Sequence, residues 1–179
     1  MAGTAHGLQA LVDDTNPLFV RDDSPSGESR YHVRFYLDAN GFDPGEADTH
    51  FRIRVLIAHD QDDQRAITIV LKRQSGAYSL EVLVQRDDGT RADSGFFAIS
   101  DAPHFVELDW QRATAPGAND GTCAFYIDNV IQTTLTGLDT DLTTIEYVRM
   151  GAMSVKSAAA GTLYFDQFEA RRDRIIGPE

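Results

Sequence analysis

Hydrophobic and polar residues alternate with a period of two through most of this chain, as expected of strands that bury one face. The pattern is clearest in Tyr31-His-Val-Arg-Phe-Tyr-Leu37, which sets Tyr31, Val33, Phe35 and Leu37 on one side and Arg30, His32, Arg34 and Tyr36 on the other. Residues 50–59 repeat it, with Phe51, Ile53, Val55 and Ile57 predicted inward and Arg52 and Arg54 outward, before the acidic turn Asp60-Gln-Asp-Asp63 closes a hairpin. Ile67, Ile69 and Leu71 alternate next, Ser75-Gly76 turns the chain, and Tyr78, Leu80, Val82 and Val84 run back to Asp87-Asp-Gly89. Further on, Val106, Leu108 and Trp110 point inward and Glu107, Asp109 and Gln111 outward. Cys123 takes an inward position, Asp128-Asn129 is a tight turn, and Val148 and Met150 mark another strand. Gly161 opens the last strand, which runs to Arg172.

No segment carries a helical period over a useful length. Roughly ten or more short strands, with turn signals every 8–12 residues, predict an all-β, two-sheet antiparallel jelly-roll sandwich whose final strand returns to pair near the first. Residues 1–172 are assigned to this single domain, and residues 173–179, polar and turn-forming, to a tail or linker.

Charge narrows the partners. A formal net charge of −12 and a pI near 4.7 disfavour nucleic acid and anionic membrane, which need clustered positive potential. No apolar run approaches the ~20 residues of a membrane span, so no membrane insertion is expected. The single cysteine leaves no intramolecular disulfide to form. Met1-Ala-Gly-Thr has no basic-then-apolar leader; it is read as a start following a removed export signal, although a cytosolic start gives the same letters.

Four segments carry a resemblance: Pro103-His-Phe-Val-Glu-Leu-Asp-Trp110, Phe125-Tyr-Ile-Asp-Asn129, Val148-Arg-Met-Gly-Ala152 and Gly161 to Arg172. In this order they resemble the second half of laminin-G-like, concanavalin A-like lectin-glucanase jelly rolls of bacterial extracellular proteins, and Ser24 to Leu37 resembles their first core strand. The resemblance implies two antiparallel sheets, a face or loop rim that binds carbohydrate, a structural calcium, and an extracellular or cell-surface location. It does not fix an activity, because this fold hosts lectins, adhesion domains, glycosidases, lyases and spacers.

Three sets of residues are candidates for chemistry. Arg34, Tyr36, Arg52 and Arg54 place bases and an aromatic ring outward on what are read as neighbouring strands of an acidic protein. Tyrosine stacks on a pyranose face and arginine donates paired hydrogen bonds, so these four form the candidate sugar site. The competing reading is cross-strand pairing with nearby carboxylates. Asp166, matching an acid in the last strand of related carbohydrate-binding jelly rolls, is the preferred calcium ligand, with Asp22, Asp23 and Glu28 in a loop expected to face it. The alternative is a set of solvated acids. Glu107 and Asp109 resemble part of the Glu-x-Asp strand of laminarinase-type hydrolases, but Gln111 stands where a third acid would be needed, and an ordinary polar face accounts for them. A non-catalytic carbohydrate-binding or adhesion module, with a cell-surface glycan as partner, is therefore expected. The alternatives are a structural or assembly domain that meets other proteins and, behind it, a glycoside hydrolase-like enzyme.

Overall fold

The computed structural model describes residues 6–177. The alternating segments become thirteen strands among these residues: β1 (Leu8–Val12), β2 (Leu18–Asp22), β3 (Arg30–Asp38), β4 (Arg52–His59), β5 (Arg65–Gln74), β6 (Ala77–Gln85), β7 (Arg91–Asp93), β8 (Phe97–Ile99), β9 (His104–Gln111), β10 (Gly121–Ile127), β11 (Val130–Leu138), β12 (Tyr147–Met153) and β13 (Gly161–Arg171). They pair into two antiparallel sheets. One is six-stranded in the order β1-β13-β3-β9-β10-β11; the other is seven-stranded, β2-β12-β4-β5-β6-β7, with β8 also paired to β6. No α-helix is present among the described residues. The result is a jelly-roll sandwich in which the last strand lies between β1 and β3.

One core fills the space between the sheets. Phe35, Trp110, Phe125 and Phe165 enter it from the six-stranded sheet and Leu56, Ile67, Ile69 and Leu80 from the seven-stranded sheet, each less than 2% exposed. The β10–β11 turn uses positive φ at both Asp128 (52°) and Asn129 (63°), the geometry that suits a right-twisted hairpin.

Two features depart from simple alternation. A bulge between Arg54 and Leu56 sends both Val55 and Leu56 into the core, so Ala58 follows inward. Ile57, expected inward, is left out of the inter-sheet cluster and is instead buried at the cross-strand position between Thr68 of β5 and Arg149 of β12. The edge strands β1 and β2 carry no clean alternation, because Leu11, Leu18 and Val20 are exposed there. The segment expected to be a tail or linker turns back onto the six-stranded sheet, where Ile176 and Gly177 donate backbone N–H groups to Glu107. Residues 178 and 179 lie outside the described residues.

Candidate functional site

The outer face of the six-stranded sheet holds His32, Arg34, Tyr36, Glu107 and Asp109 on β3 and β9. Arg34 and Glu107 are only 2% and 1% exposed. Arg34 donates to the Gly177 carbonyl at 2.7 Å and pairs with Glu169 at 3.1 Å, while Glu107 accepts the Ile176 N–H at 2.5 Å. His32 lies 3.2 Å from Asp109, which Arg30 approaches at 3.5 Å. Burial pushes the His32 imidazole below its usual range, with Asp109 opposing. The Tyr36 ring rests edge-on against Phe105, their centroids 5.5 Å apart. This face is neutralised from within and roofed by the chain's own carboxyl-terminal segment. Glu107→Gln is expected to destabilise the fold by about 1.5–3 kcal/mol, the worth of hydrogen bonds to a charged group, as measured by urea unfolding.

Arg52 and Arg54 lie on the other side of the molecule. Strands β3 and β4 belong to different sheets, so the expected neighbouring quartet is divided into Arg34 with Tyr36 on one outer face and Arg52 with Arg54 on the other. On the seven-stranded sheet, Arg52 and Arg54 join a set of cations that sequence reasoning had not collected. At one end, Arg21 stands 3.7 Å over the Tyr147 ring and Arg149 stands 5.1 Å from it and 4.9 Å from Phe19. Tyr147 stacks on His59 at 4.5 Å and donates its hydroxyl to Asp63. At the other end, Arg52 and Lys72 both approach the Phe96 ring, at 4.7 and 4.8 Å. Such contacts place cations over aromatic faces.

Between these ends lies a cleft of about 350 Å³ lined by Arg52, Arg54, Val70, Leu83, Arg91, Ser154 and Lys156. Arg54 donates to the Ser154 hydroxyl. Partial burial, and then Arg65 and Arg91 beside it, push the Arg54 guanidinium down from its ordinary value. Among the described residues, no carboxylate lies within 4 Å of the charged groups of Arg54, Arg65, Arg91 or Lys156. Arg52 has one only at 4.0 Å, on Glu81, whose own carboxyl is raised by burial. A signal for part of this site exists in the sequence: Phe19-Val-Arg21 and Tyr147-Val-Arg149 share an aromatic-x-Arg pattern, and antiparallel pairing sets Arg21 opposite Arg149.

The expected calcium ligands are not gathered at one point. Glu28 pairs with Arg172 at 2.6 Å, Asp23 with Arg21 at 2.6 Å, and Asp22 accepts the Ser24 N–H at 2.9 Å. Asp166 pairs with Tyr36, six residues along β3 from Arg30, which places it ~20 Å of strand away from the Glu28 loop. Its side chain lies beside Gly7 and accepts the Gln167 N–H. Three other acids, Asp87, Asp139 and Asp141, do converge, with carboxylate oxygens within 4.8 Å of one another. Partial burial, followed by Asp87 and Asp141, pushes the Asp139 carboxyl up. Asp87 also accepts the Leu142 N–H at 3.0 Å and the Thr143 hydroxyl at 3.1 Å. These acids escape sequence reasoning because they come from the β6–β7 and β11–β12 connections, some fifty residues apart.

No protein-family model and no curated protein matches the chain. Solved structures do match its fold. The binding domain of Paraclostridial Mosquitocidal Protein 1 aligns with a TM-score of 0.64 at 12% identity, over 99% of this chain and 42% of that one. The alginate lyase AlyC3 in complex with dimannuronate aligns at 0.61 and 11%, over 92% and 74%. The ligand-binding domain of botulinum neurotoxin serotype D in complex with N-acetylneuraminic acid aligns at 0.58 and 9%, over 94% and 43%. At these identities the likeness establishes the fold. The chain spans 34% and 45% of the length of the first botulinum neurotoxin domains it matches. Among the described residues, no helix is long and apolar enough to cross a membrane.

Proposed function

We propose that the chain is a non-catalytic, laminin-G-like carbohydrate-binding module of a bacterial extracellular or cell-surface protein, and that it holds its glycan on the outer face of the seven-stranded sheet. The observation that carries this reading is the layer of arginines and aromatic rings on that face, several of whose cations have no carboxylate within 4 Å among the described residues although the chain is strongly acidic. Sugar recognition uses this combination, with rings or aliphatic groups against C–H faces and guanidinium groups for oxygen atoms. Structural neighbours named for bound N-acetylneuraminic acid and dimannuronate support it. The placement of Glu107 beneath the carboxyl-terminal segment gives a hydrolase reading no support.

A glycan array probed with the purified chain tests the proposal. Retention of a defined sugar, weakened by Arg149→Ala, is expected; a blank array sinks it. A second reading, an assembly domain, is favoured by one observation. Val130 and Ile131, 60% and 52% exposed, sit on β11, the edge of the six-stranded sheet, where an unpaired strand can recruit another chain.

Calcium stays within the proposal, with Asp87, Asp139 and Asp141 as the oxygen donors in place of the Asp166 set. A cation bound only to the folded state stabilises it. The thermal midpoint is therefore expected to be higher in millimolar calcium than in chelator, and Asp139→Asn to erase the difference. Equal midpoints for the unaltered chain remove calcium from the account.

A further inference from the structure

The cleft on the seven-stranded sheet concentrates like charge, and among the described residues its one carboxylate contact is that of Arg52 with Glu81 at 4.0 Å. The Arg65 and Arg91 guanidinium groups disfavour the charge on Arg54, and Arg91 and Lys156 line the same cleft as Arg54. Arrangements of this kind lower stability in the absence of a counter-charge, so they are informative in a chain with net charge −12, where carboxylates are abundant. Elsewhere the same chain does pair its arginines: Arg34 with Glu169, Arg73 with Asp43 and Glu46, and Arg172 with Glu28. What sets the cleft apart is that several cations converge on one concavity, where, among the described residues, Arg91 donates only to the neutral Gln85 amide oxygen at 3.1 Å and Arg54 only to a hydroxyl.

Its other walls define the shape of an occupant. Val70 and Leu83 provide an apolar floor, and the Ser154 hydroxyl fixes one arm of the Arg54 guanidinium while leaving its remaining donors available. A volume of about 350 Å³ falls in the range of small-ligand sites. Arginine forks match the planar, two-oxygen geometry of a carboxylate better than they match a neutral hydroxyl.

We propose that the cleft formed by Arg54, Arg91 and Lys156 is a subsite for the carboxylate of an acidic sugar, whose ring lies over Val70 and Leu83. This inference rests on the carbohydrate-binding reading above and names the chemical class of its ligand. The acidic remainder of the surface repels polyanions, which confines such a glycan to this face.

The test uses oligomannuronate, the same oligosaccharide after carboxyl reduction, and a panel of neutral and sulfated glycans, titrated against the full chain and two variants. Oligomannuronate or another carboxylated glycan of the panel binds, binding weakens with added salt, and the carboxyl-reduced form binds about tenfold to hundredfold more weakly. R54Q/R91Q shows a loss of the same order with an unchanged or raised unfolding midpoint, because it relieves repulsion, whereas the exposed Arg174→Gln binds as the unaltered chain does. Preference for neutral or sulfated glycans, or binding indifferent to carboxyl reduction, overturns the carboxylate subsite and leaves the carbohydrate-binding module standing. Failure to bind any glycan of the panel overturns both.

Discussion

Trp110→Ala is expected to lower the free energy of unfolding by about 3–5 kcal/mol, the range for removing a fully buried indole from a close-packed core. Trp110 is 0% exposed and sits in the middle of the six-stranded sheet, with Tyr31 of β3 and Cys123 of β10 as its cross-strand partners. Both partners are themselves buried, so neither can collapse into the void without drawing a strand with it. The indole Nε1 has no hydrogen-bond partner among the described residues, which separates packing from polar contributions. Trp110→Phe keeps most of the volume and removes a buried unpaired donor, so its effect is expected to be much smaller than that of Ala. Urea unfolding of the two variants decides the matter: equal losses would mean that something other than packing holds Trp110.

Gly151→Ala is expected to cost about 2–4 kcal/mol and to act on the site as well as the fold. Gly151 has φ of +148°, and a β-carbon there would overlap the Leu18 carbonyl oxygen and come within 2.7 Å of the Phe19 Cα. Those atoms are backbone of β2, which pairs with β12 in a register that sets Phe19 opposite Gly151 and Arg21 opposite Arg149. The substitution must therefore push β2 off the sheet edge, taking with it Phe19 from Arg149 and Arg21 from the Tyr147 ring. Hydrogen exchange in β2 is expected to accelerate selectively. Gly89→Ala is the comparison, since its φ is +83° but no atom lies within 4 Å of the added carbon, leaving only backbone strain of ~1–2 kcal/mol.

The strands of the core were legible because each buries one face: Tyr31, Val33, Phe35 and Leu37 alternate in sequence and all four are buried in the structure. Sheet membership was not legible from the same signal. Alternation says which residues share a face of one strand and nothing about which strand lies beside it, so Arg34 and Arg52 were read as neighbours although they belong to opposite sheets. The β4 bulge is invisible for a related reason, since Val55-Leu-Ile-Ala58 is apolar throughout and any of its residues could point inward. Arg52 and Arg54 were found as site candidates by their outward position. Arg91, Arg149 and Lys156 were not, because they reach the same face from β7, from β12 and from the connection between β12 and β13. The roofing of Glu107 by Ile176 and Gly177 spans about seventy residues and had no local sequence signal.

The central claim is that glycan binds on the outer face of the seven-stranded sheet, and amide chemical-shift mapping during titration with an acidic oligosaccharide tests it most directly. The account predicts that shifts concentrate at Arg54, Val70, Leu83, Arg91 and residues 154–156, with the six-stranded face silent. Shifts centred on Arg34, Tyr36 and Glu107 would contradict it.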